Sequence, residues 1–389
     1  YGPVDGHNLP DLERHLKALR MVRGPVLFHV ITVKGKGYSY AEDEPEFYHG
    51  VSPFDTANGQ SAAHGSGKTF STVFGETMIE LAGLDPDIVA ITAAMAQGTG
   101  LIRFQSVFPD RFRDVGIAEQ HAVTMAAGMA AGGLRPFVAM YSTFIQRAID
   151  QLLHDVCLQN LPVVFAVDRA GLVGGDGDTH QGVYDLSIAL SLPNLTVAAP
   201  ATVEDLRALL FFARRHDGPI LIRYPHAVAP ERDPLAPSLD LNHASLADIA
   251  ELRPIRTGKD LTVVVLGAML EEATLAVDRL VARFPGRSVD LLSCIIASPF
   301  DYENMLISIQ KTGSLLVIEE GVEEGGFGSL IVAQAQKRYP GLKADFAGVT
   351  GPTAGQATRV ELKADEALDA VGLEGRMLGL MGVIEQPLP

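Results

Sequence analysis

Glu119 has the sequence context that best suits a side chain that transfers protons. It follows the apolar residues Ile117 and Ala118 and begins a segment rich in small residues, 119–131. A helix with such small side chains packs closely against other elements, so Glu119 is predicted to be buried. Burial raises the pKa of a carboxyl group, which lets it stay protonated or share a proton strongly. A solvated helix cap is the ordinary alternative.

A second candidate for proton transfer is His180, which shares a glycine-rich loop with Asp176. The unperturbed pKa of histidine, about 6.5, allows it to exchange a proton near neutral pH. A surface histidine without a chemical role is the alternative. Phe144 follows an apolar strand, where it is either a core residue or an aromatic face for a flat ligand.

The elements that must position these side chains alternate between helix and strand. Apolar runs of four to six residues separated by helical patterns indicate a parallel α/β sheet over 61–230, followed by a linker over 231–254 and a second α/β unit over 255–389. The predicted helices cover 9–19, 70–82, 119–131 and 146–159, and the predicted strands cover 25–33, 88–92, 137–140, 163–167, 195–198, 220–223, 261–266, 289–292 and 314–318.

Residues 1–60 contain only one predicted helix and one predicted strand. These cannot enclose a core, so we expect this region to pack on a missing N-terminal segment, on a companion chain or on the next domain. The chain begins with Tyr1 and shows no signal-like segment, which suggests a processed or cut piece of a longer protein.

The composition is acidic, with a formal net charge of −16. This argues against nucleic acid and anionic membrane surfaces as partners, and an anionic substrate would need a local basic pocket. No apolar run approaches about 18 residues, so no membrane span is expected. The two cysteines, Cys157 and Cys294, are too few for a disulfide framework, which indicates a reducing, cytoplasmic location.

The segment Ile117-Ala118-Glu119-Gln120 resembles the glutamate motif of the pyrimidine-binding domain in transketolase-like thiamine-diphosphate enzymes. In that family the glutamate hydrogen-bonds the aminopyrimidine ring and promotes the tautomer that removes the thiazolium C2 proton. The resemblance to the 1-deoxy-D-xylulose-5-phosphate synthase family is dense over 1–226 and loose afterwards. It rests on Tyr1-Gly2-Pro3-Val4-Asp5-Gly6-His7, Lys34-Gly35-Lys36-Gly37-Tyr38, Tyr48-His49-Gly50, the segments 141–147 and 168–182, and Arg223-Tyr224-Pro225.

This resemblance implies an α/β fold in which 1–60 is a remnant of the diphosphate-binding domain, 61–230 the pyrimidine-binding domain and 255–389 a transketolase C-terminal domain. It implies thiamine diphosphate and Mg²⁺ as cofactors, and a homodimer. The implied reaction is a condensation of pyruvate, with decarboxylation, and glyceraldehyde 3-phosphate to 1-deoxy-D-xylulose 5-phosphate.

The resemblance also implies a role for each matched residue. The expected catalytic residues are Glu119, His49, His180 and Asp176. The expected cofactor contacts are Lys34, Met95, Ile117, Glu119 and Phe144, and the expected substrate contacts are Tyr141, Arg147, Arg169 and His226. For Lys34 the alternative is a solvated loop cation, and for Arg169 it is an ion pair with Asp168 or another acidic neighbour. His7 and His154 are interpreted as structural.

The metal site is not expected on this chain. Gly175-Asp176-Gly177 imitates the opening of the family's metal motif, but no Asn follows in 200–210, so the Mg²⁺ ligands are expected on the missing N-terminal segment. The segment Gly325-Gly326-Phe327-Gly328 imitates a nucleotide fingerprint but lacks the surrounding strand and helix pattern, which favours a backbone turn.

Three departures from the family pattern affect the substrate more than the cofactor. His226 stands where the synthases usually have a second arginine, Ala96 and Gln97 replace an Arg-Glu pair, and the segment 293–301 differs. A related carboligase with another aldehyde acceptor is therefore an alternative. A non-catalytic subunit or pseudoenzyme and a 2-oxoacid dehydrogenase β subunit are the others.

Overall fold

The structure is a computed structural model that describes residues 1–45, 47–51, 53–60, 67–175, 177–231, 243–351 and 356–383. Contacts divide the chain into two compact units, Tyr1–Ser66 and Gly67–Pro389. Among the described helices, none is both long and apolar enough to cross a membrane.

The first unit contains a two-stranded parallel sheet of β1 (Val4–Asp5) and β2 (Val30–Ile31), with the helices α1 (Leu9–Leu19) and α2 (Ser39–Asp43). The predicted helix over 9–19 is confirmed, and the Asn8 side chain caps it by accepting a hydrogen bond from the amide of Asp11 at 3.2 Å. The predicted buried strand over 25–33 is wrong. Only two of its residues pair, because β1 offers just two partners, and Leu27 is 83% exposed.

The second unit contains the remaining elements. Its strands are β3 (Ile88–Thr92), β4 (Phe112–Asp114), β5 (Arg135–Tyr141), β6 (Val164–Asp168), β7 (Thr196–Ala198), β8 (Ile220–Arg223), β9 (Arg253–Arg256), β10 (Leu261–Leu266), β11 (Val289–Cys294), β12 (Ile296–Ser298), β13 (Ser314–Val322) and β14 (Lys343–Val349). Its helices are α3 (Phe70–Leu84), α4 (Ile102–Val107), α5 (Glu119–Ala131), α6 (Ser142–Ile145), α7 (Ile149–Gln151), α8 (Asp185–Ala189), α9 (Val203–Ala213), α10 (Leu246–Ala250), α11 (Leu270–Arg283), α12 (Tyr302–Thr312), α13 (Phe327–Arg338), α14 (Arg359–Asp365) and α15 (Ala370–Leu380).

A seven-stranded sheet forms the first half of this unit, in the order β12-β7-β8-β6-β5-β3-β4. All neighbouring strands are parallel except β12, which runs antiparallel to β7. The strands β3 and β6 are buried along their whole length, which is why each has four apolar residues in a row before the polar Thr92 or Asp168 at its end. The predicted α/β fold with a parallel sheet is confirmed.

A five-stranded sheet forms the second half, in the order β14-β13-β10-β11-β9, with β9 antiparallel at one edge. The described part of the predicted linker over 231–254 contains α10, which begins with a capping box between Ser245 and Asp248. Helix α11 packs its apolar stripe on this sheet.

The predicted single helix over 146–159 is wrong. The chain there forms a 3-10 turn over Gln146–Ala148, then α7, then a π-helical turn over Leu152–Cys157. The wider turn is held by bonds of the i to i−5 type, such as the amide of Leu158 to the carbonyl of Leu153 at 2.9 Å. Leu152, Val156 and Cys157 are buried in this segment.

Candidate active site

The carboxyl ends of three neighbouring parallel strands carry most of the predicted site residues. Met95 follows β3, Tyr141 ends β5 and Arg169 follows β6. Because β3, β5 and β6 are parallel and adjacent, their ends meet at one edge of the sheet. Ligands of open α/β sheets bind outside this edge.

Glu119 is the first residue of α5 and is 2% exposed, as its sequence context predicts. Its surroundings are not purely apolar, however. The Arg147 guanidinium donates through Nη1 to Glu119 Oε1 at 2.6 Å. Arg147 is a half-exposed ion-pair partner of the Glu119 carboxyl group, and its predicted contact with substrate stays a prediction.

Phe144 lies between Arg147, the partner of Glu119, and His180 of the glycine-rich loop 171–182, called the histidine loop below. The Arg147 guanidinium lies 4.7 Å from the centre of the Phe144 ring. On its other sides Phe144 stacks with Tyr141, with 5.8 Å between the ring centres, and meets His180 edge-on at 5.5 Å. The predicted residues Glu119, Arg147, Phe144, His180 and Tyr141 therefore form one continuous set of contacts.

Arg169 occupies a strained and buried position at the end of β6. Its φ of 58° lies in the left-handed region, and its guanidinium sits 3.7 Å from the centre of the Tyr141 ring. Nη1 donates to the carbonyl of Gly98 at 3.0 Å and to Asp168 Oδ1 at 3.1 Å. The ion pair that the sequence offered as an alternative is thus formed, and it coexists with the contact to Tyr141.

Asp168 is fully buried beside this arginine. Burial raises the pKa of its carboxyl group to about 6, while Arg169 and the hydroxyl of Ser71 act in the opposite direction. Ser71 Oγ donates to Asp168 Oδ2 at 2.6 Å. These two contacts fix the carboxylate that in turn holds the guanidinium against Tyr141.

A glycine keeps space for the Tyr141 hydroxyl. A Cβ atom on Gly98 would lie 1.7 Å from Tyr141 Oη, so no larger residue fits without moving the ring. The amide of Tyr141 also donates to Met95 Sδ at 3.3 Å, which ties the ends of β3 and β5 together. Ile117, another predicted cofactor contact, is 81% exposed.

Two buried polar atoms of this region have no hydrogen-bond partner within the described ranges. They are Arg169 Nε and Ser142 Oγ. Buried polar groups nearly always have partners, so a donor and a hydroxyl left unpaired at one sheet edge indicate a place for a polar ligand or water. Ser142 was missed in the sequence, although it follows Tyr141 directly in a segment that was singled out.

The remaining predicted residues are not part of this set of contacts. His226 is exposed beyond the carboxyl end of β8, at the same sheet edge. Lys34 and His49 are exposed in the first unit, and Asp176 lies outside the described residues. Among the described residues, no three or more His, Cys, Asp or Glu side chains are grouped to hold a metal ion.

A cleft of about 610 Å³ lies at the opposite edge of the sheet, where Thr196 begins β7 and Gly218 precedes β8. We assign the site to the carboxyl edge instead. The buried carboxyl group, the aromatic stack and the unpaired polar atoms all lie there, whereas size alone does not identify chemistry.

Models of three protein families match parts of the chain. The transketolase pyrimidine-binding domain matches residues 66–231, the transketolase C-terminal domain matches residues 250–373, and the 1-deoxy-D-xylulose-5-phosphate synthase family matches residues 1–32.

Curated relatives give a similar picture. The protein named 1-deoxy-D-xylulose-5-phosphate synthase 1 from Geobacter sulfurreducens is 42% identical over 398 residues, covering 100% of this chain and 60% of that protein. The 1-deoxy-D-xylulose-5-phosphate synthase of Clostridium perfringens strain SM101 is 45% identical over 333 residues, covering 84% of this chain and 52% of the relative. The chain thus spans little more than half the length of the relatives it matches.

Solved structures agree in fold. A split-gene transketolase described as an inactive beta4 tetramer has a TM-score of 0.70 and 27% identity, covering 82% of this chain and 100% of that chain. A transketolase from Pichia stipitis has a TM-score of 0.67 at 15% identity, covering 82% of this chain and 46% of that one. The chain therefore carries the pyrimidine-binding and C-terminal domains of the transketolase family, and it is similar to proteins named 1-deoxy-D-xylulose-5-phosphate synthase.

Proposed function

We propose that this chain supplies the pyrimidine-binding side of a carboligase that condenses pyruvate and glyceraldehyde 3-phosphate, with loss of carbon dioxide, to 1-deoxy-D-xylulose 5-phosphate. The observation that carries the proposal is the buried Glu119 carboxyl group at the start of α5, in contact with Arg147 and, through it, with Phe144. The identity of 42% to 45% with proteins of that name supports the choice of reaction.

The residues at the sheet edge fit the aminopyrimidine end of thiamine diphosphate. Glu119 offers a carboxylate oxygen to a ring nitrogen, Phe144 offers an aromatic face, and the exposed Ile117 and the thioether of Met95 offer apolar contact. When bound, the cofactor supplies a nucleophilic carbon to the substrate carbonyl. This chain's part is to orient the ring, to hold a proton at Glu119 and to exchange protons with the substrate through His180 and, in the loop, Asp176.

The acceptor aldehyde is assigned to the region of Tyr141 and Arg169. The unpaired Nε of Arg169 is a buried cationic donor suited to a phosphate oxygen, and the unpaired hydroxyl of Ser142 lies next to Tyr141 in the chain. His226, exposed at the same edge, is a further proposed contact of the acceptor.

The proposal also covers the region 1–60, the metal ion and the oligomeric state. Lys34 and His49 are proposed as contacts of the diphosphate and the reacting carbons. We assign 1–60 to the diphosphate-binding domain, 61–230 to the pyrimidine-binding domain and 255–389 to the C-terminal domain. Mg²⁺ is held by a segment or companion chain outside this sequence. We further propose a homodimer in the cytoplasm as the working form.

The test compares two buried glutamates that each form an ion pair. Glu119→Gln removes the carboxylate at the site, and Glu374→Gln removes one that is 1% exposed and paired with Arg279 and Arg283 in the second half. In a preparation reconstituted with the diphosphate-binding segment, thiamine diphosphate and Mg²⁺, we measure cofactor affinity by calorimetry and exchange of the cofactor C2 hydrogen with deuterium by NMR.

Glu119→Gln is expected to slow C2 exchange by about a hundredfold or more, in the range of a lost general acid–base contribution, while retaining most of the affinity. Glu374→Gln is expected to leave both unchanged. If Glu119→Gln exchanges the C2 hydrogen as fast as the control, Glu119 does not activate the cofactor and the proposal is wrong.

A second candidate is a related carboligase with an unphosphorylated aldehyde acceptor. It is favoured by His226, since a neutral imidazole lacks the charge and the planar donor fork of arginine. A comparison of kcat/KM for glyceraldehyde 3-phosphate and for glyceraldehyde separates the two. A preference for the phosphorylated aldehyde supports the synthase reaction, and equal values support the second candidate.

A further inference from the structure

A buried glutamate of the second half reaches the start of the histidine loop. Glu320 lies in β13 and is 4% exposed. Its Oε1 accepts a hydrogen bond from the backbone amide of Leu172 at 3.0 Å, although the two residues are 148 positions apart in the chain. A hydrogen bond to a charged acceptor in a buried place is stronger than one between neutral groups.

Arg359 completes this contact as the counter-ion. Its Nε donates to Glu320 Oε1 at 3.0 Å and its Nη2 donates to Oε2, so the guanidinium grips both carboxylate oxygens. The approach of the carboxylate depends on Gly171, whose φ is +81°. A Cβ there would lie 2.6 Å from Glu320 Cδ. The loop and the glutamate therefore fit each other closely.

Two further contacts hold the next part of the loop. The side chain of Gln356 donates to the carbonyl of Gly175 at 2.6 Å, and the amide of Gly175 donates to the carbonyl of Ala357 at 3.0 Å. A Cβ on Gly174 would lie 2.5 Å from the amide nitrogen of Arg359. The segment that supplies Arg359 thus lies directly against the loop.

The far end of the loop is tied to its beginning, so the restraint reaches His180. Gly171 and Gly182 exchange two backbone hydrogen bonds of 2.8 and 2.9 Å. The side chain of Gln181 accepts from the amide of Val173 at 2.8 Å and donates to its carbonyl at 2.9 Å. A displacement at 171–173 therefore moves 181–182, the residues directly after His180.

We propose that Glu320, gripped by Arg359, is a positioning residue that holds the histidine loop in place and keeps His180 against Phe144. The inference rests on the proposed function only for the role of His180. The claim that the Glu320 carboxylate, in the second half, orders the histidine loop rests on the contacts alone. Glu320 itself does not touch the reacting groups in this scheme.

The experiment is hydrogen–deuterium exchange on the intact chain, which needs neither cofactor nor activity. Glu320→Ala removes the carboxylate, and Glu320→Gln keeps an acceptor for Leu172 while it loses the charge that holds Arg359. The matched control is Glu323→Gln, because Glu323 lies just beyond β13 and pairs with Arg376 at 3.1 Å.

In Glu320→Ala, peptides that contain Leu172 are expected to exchange about tenfold faster or more, since one hydrogen bond to a charged acceptor is lost. Glu320→Gln is expected to show a smaller increase in the same peptides, and it decides the question if Glu320→Ala does not fold. The NMR signal of the His180 ring, assigned with His180→Gln, is expected to shift toward that of a solvated histidine in both variants and not in Glu323→Gln.

The proposal is overturned if these peptides exchange as in the control, or if peptides of β10 (Leu261–Leu266) speed up equally, because the effect is then one of global stability. If the loop loosens and the His180 signal moves while a reconstituted preparation shows no C2 exchange, the proposed function fails and the positioning contact stands.

Discussion

The buried carboxyl group of Glu319 is expected to make the free energy of unfolding depend on pH. Its side chain is 0% exposed. Oε1 accepts from the amide of Gly328 at 2.6 Å at the start of α13, whereas Oε2 has no partner among the described residues. Burial raises the pKa of this carboxyl group to about 7, against the helix amides and Arg223, which favour the ionised form.

The size of the effect follows from the two pKa values. A change from the ordinary 4.5 to about 7 corresponds to about 3 kcal/mol in the free energy of unfolding. Because the folded state holds the proton more tightly than the unfolded state, this stability is fully present below pH 4.5. It declines as the pH rises, and it is lost above about pH 7.

The variant Glu319→Gln removes the titration and keeps the shape. Its carbonyl can still accept from Gly328, and its amide group takes the place of the unpaired oxygen, so the variant resembles the protonated wild type. Relative to wild type, the free energy of unfolding is expected to be about equal at pH 4.5 and about 3 kcal/mol greater at pH 8.

Urea unfolding followed by circular dichroism at several pH values between 4.5 and 8 measures this difference, and groups that titrate in both proteins cancel. Glu374→Gln is the control, since it removes a buried carboxylate that has two arginine partners and is expected to destabilise the fold at pH 8. A difference between Glu319→Gln and wild type that stays constant across this pH range would refute the reasoning.

Two other predictions concern the site and the core. Gly98→Ala is expected to displace Tyr141 and Arg169, because the new Cβ would lie 1.7 Å from Tyr141 Oη. The KM for the acceptor is expected to rise at least about tenfold in steady-state kinetics, while exchange of the cofactor C2 hydrogen is retained. An unchanged KM would contradict the assignment of the acceptor to this region. Phe165→Ala, in a fully buried position of β6, is expected to cost about 3–5 kcal/mol of unfolding free energy in urea; a loss below about 1 kcal/mol would contradict the packing described for this strand.

Much of the sheet architecture could be predicted because it depends on local composition. The strands β3 and β10 match their predicted bounds, since runs of five and six residues that are apolar except for one threonine each leave few alternatives. Helix α5 also matches, because small residues over 119–131 change abruptly to the paired glycines Gly132 and Gly133. In each case the signal lies within one element.

The failures arise where the outcome depends on a distant neighbour. Residues 25–33 are apolar enough for a strand, but a strand needs partners, and β1 supplies only two. The pairing of Arg147 with Glu119 joins residues 28 positions apart, on different elements, and no local pattern predicts it. A sequence identifies chemical groups more readily than it identifies which of them will meet.

The adjacent pair Glu319 and Glu320 illustrates the same limit. In the sequence it is part of a motif that fits several related families equally well. In β13, successive side chains point to opposite faces, so Glu319 turns to the start of α13 while Glu320 turns to the histidine loop. The residue that follows is a glycine because a Cβ on Gly321 would lie 2.7 Å from Glu319 Oε2. The two carboxyl groups therefore have different partners: Glu319 accepts from the amide of Gly328, whereas Glu320 accepts from the amide of Leu172 and pairs with Arg359. The proposed restraint on the histidine loop therefore depends on one position of β13, Glu320, while the neighbouring Glu319 binds the start of α13. A domain whose sequence resembles the family only loosely can in this way order a loop of the domain that resembles it closely.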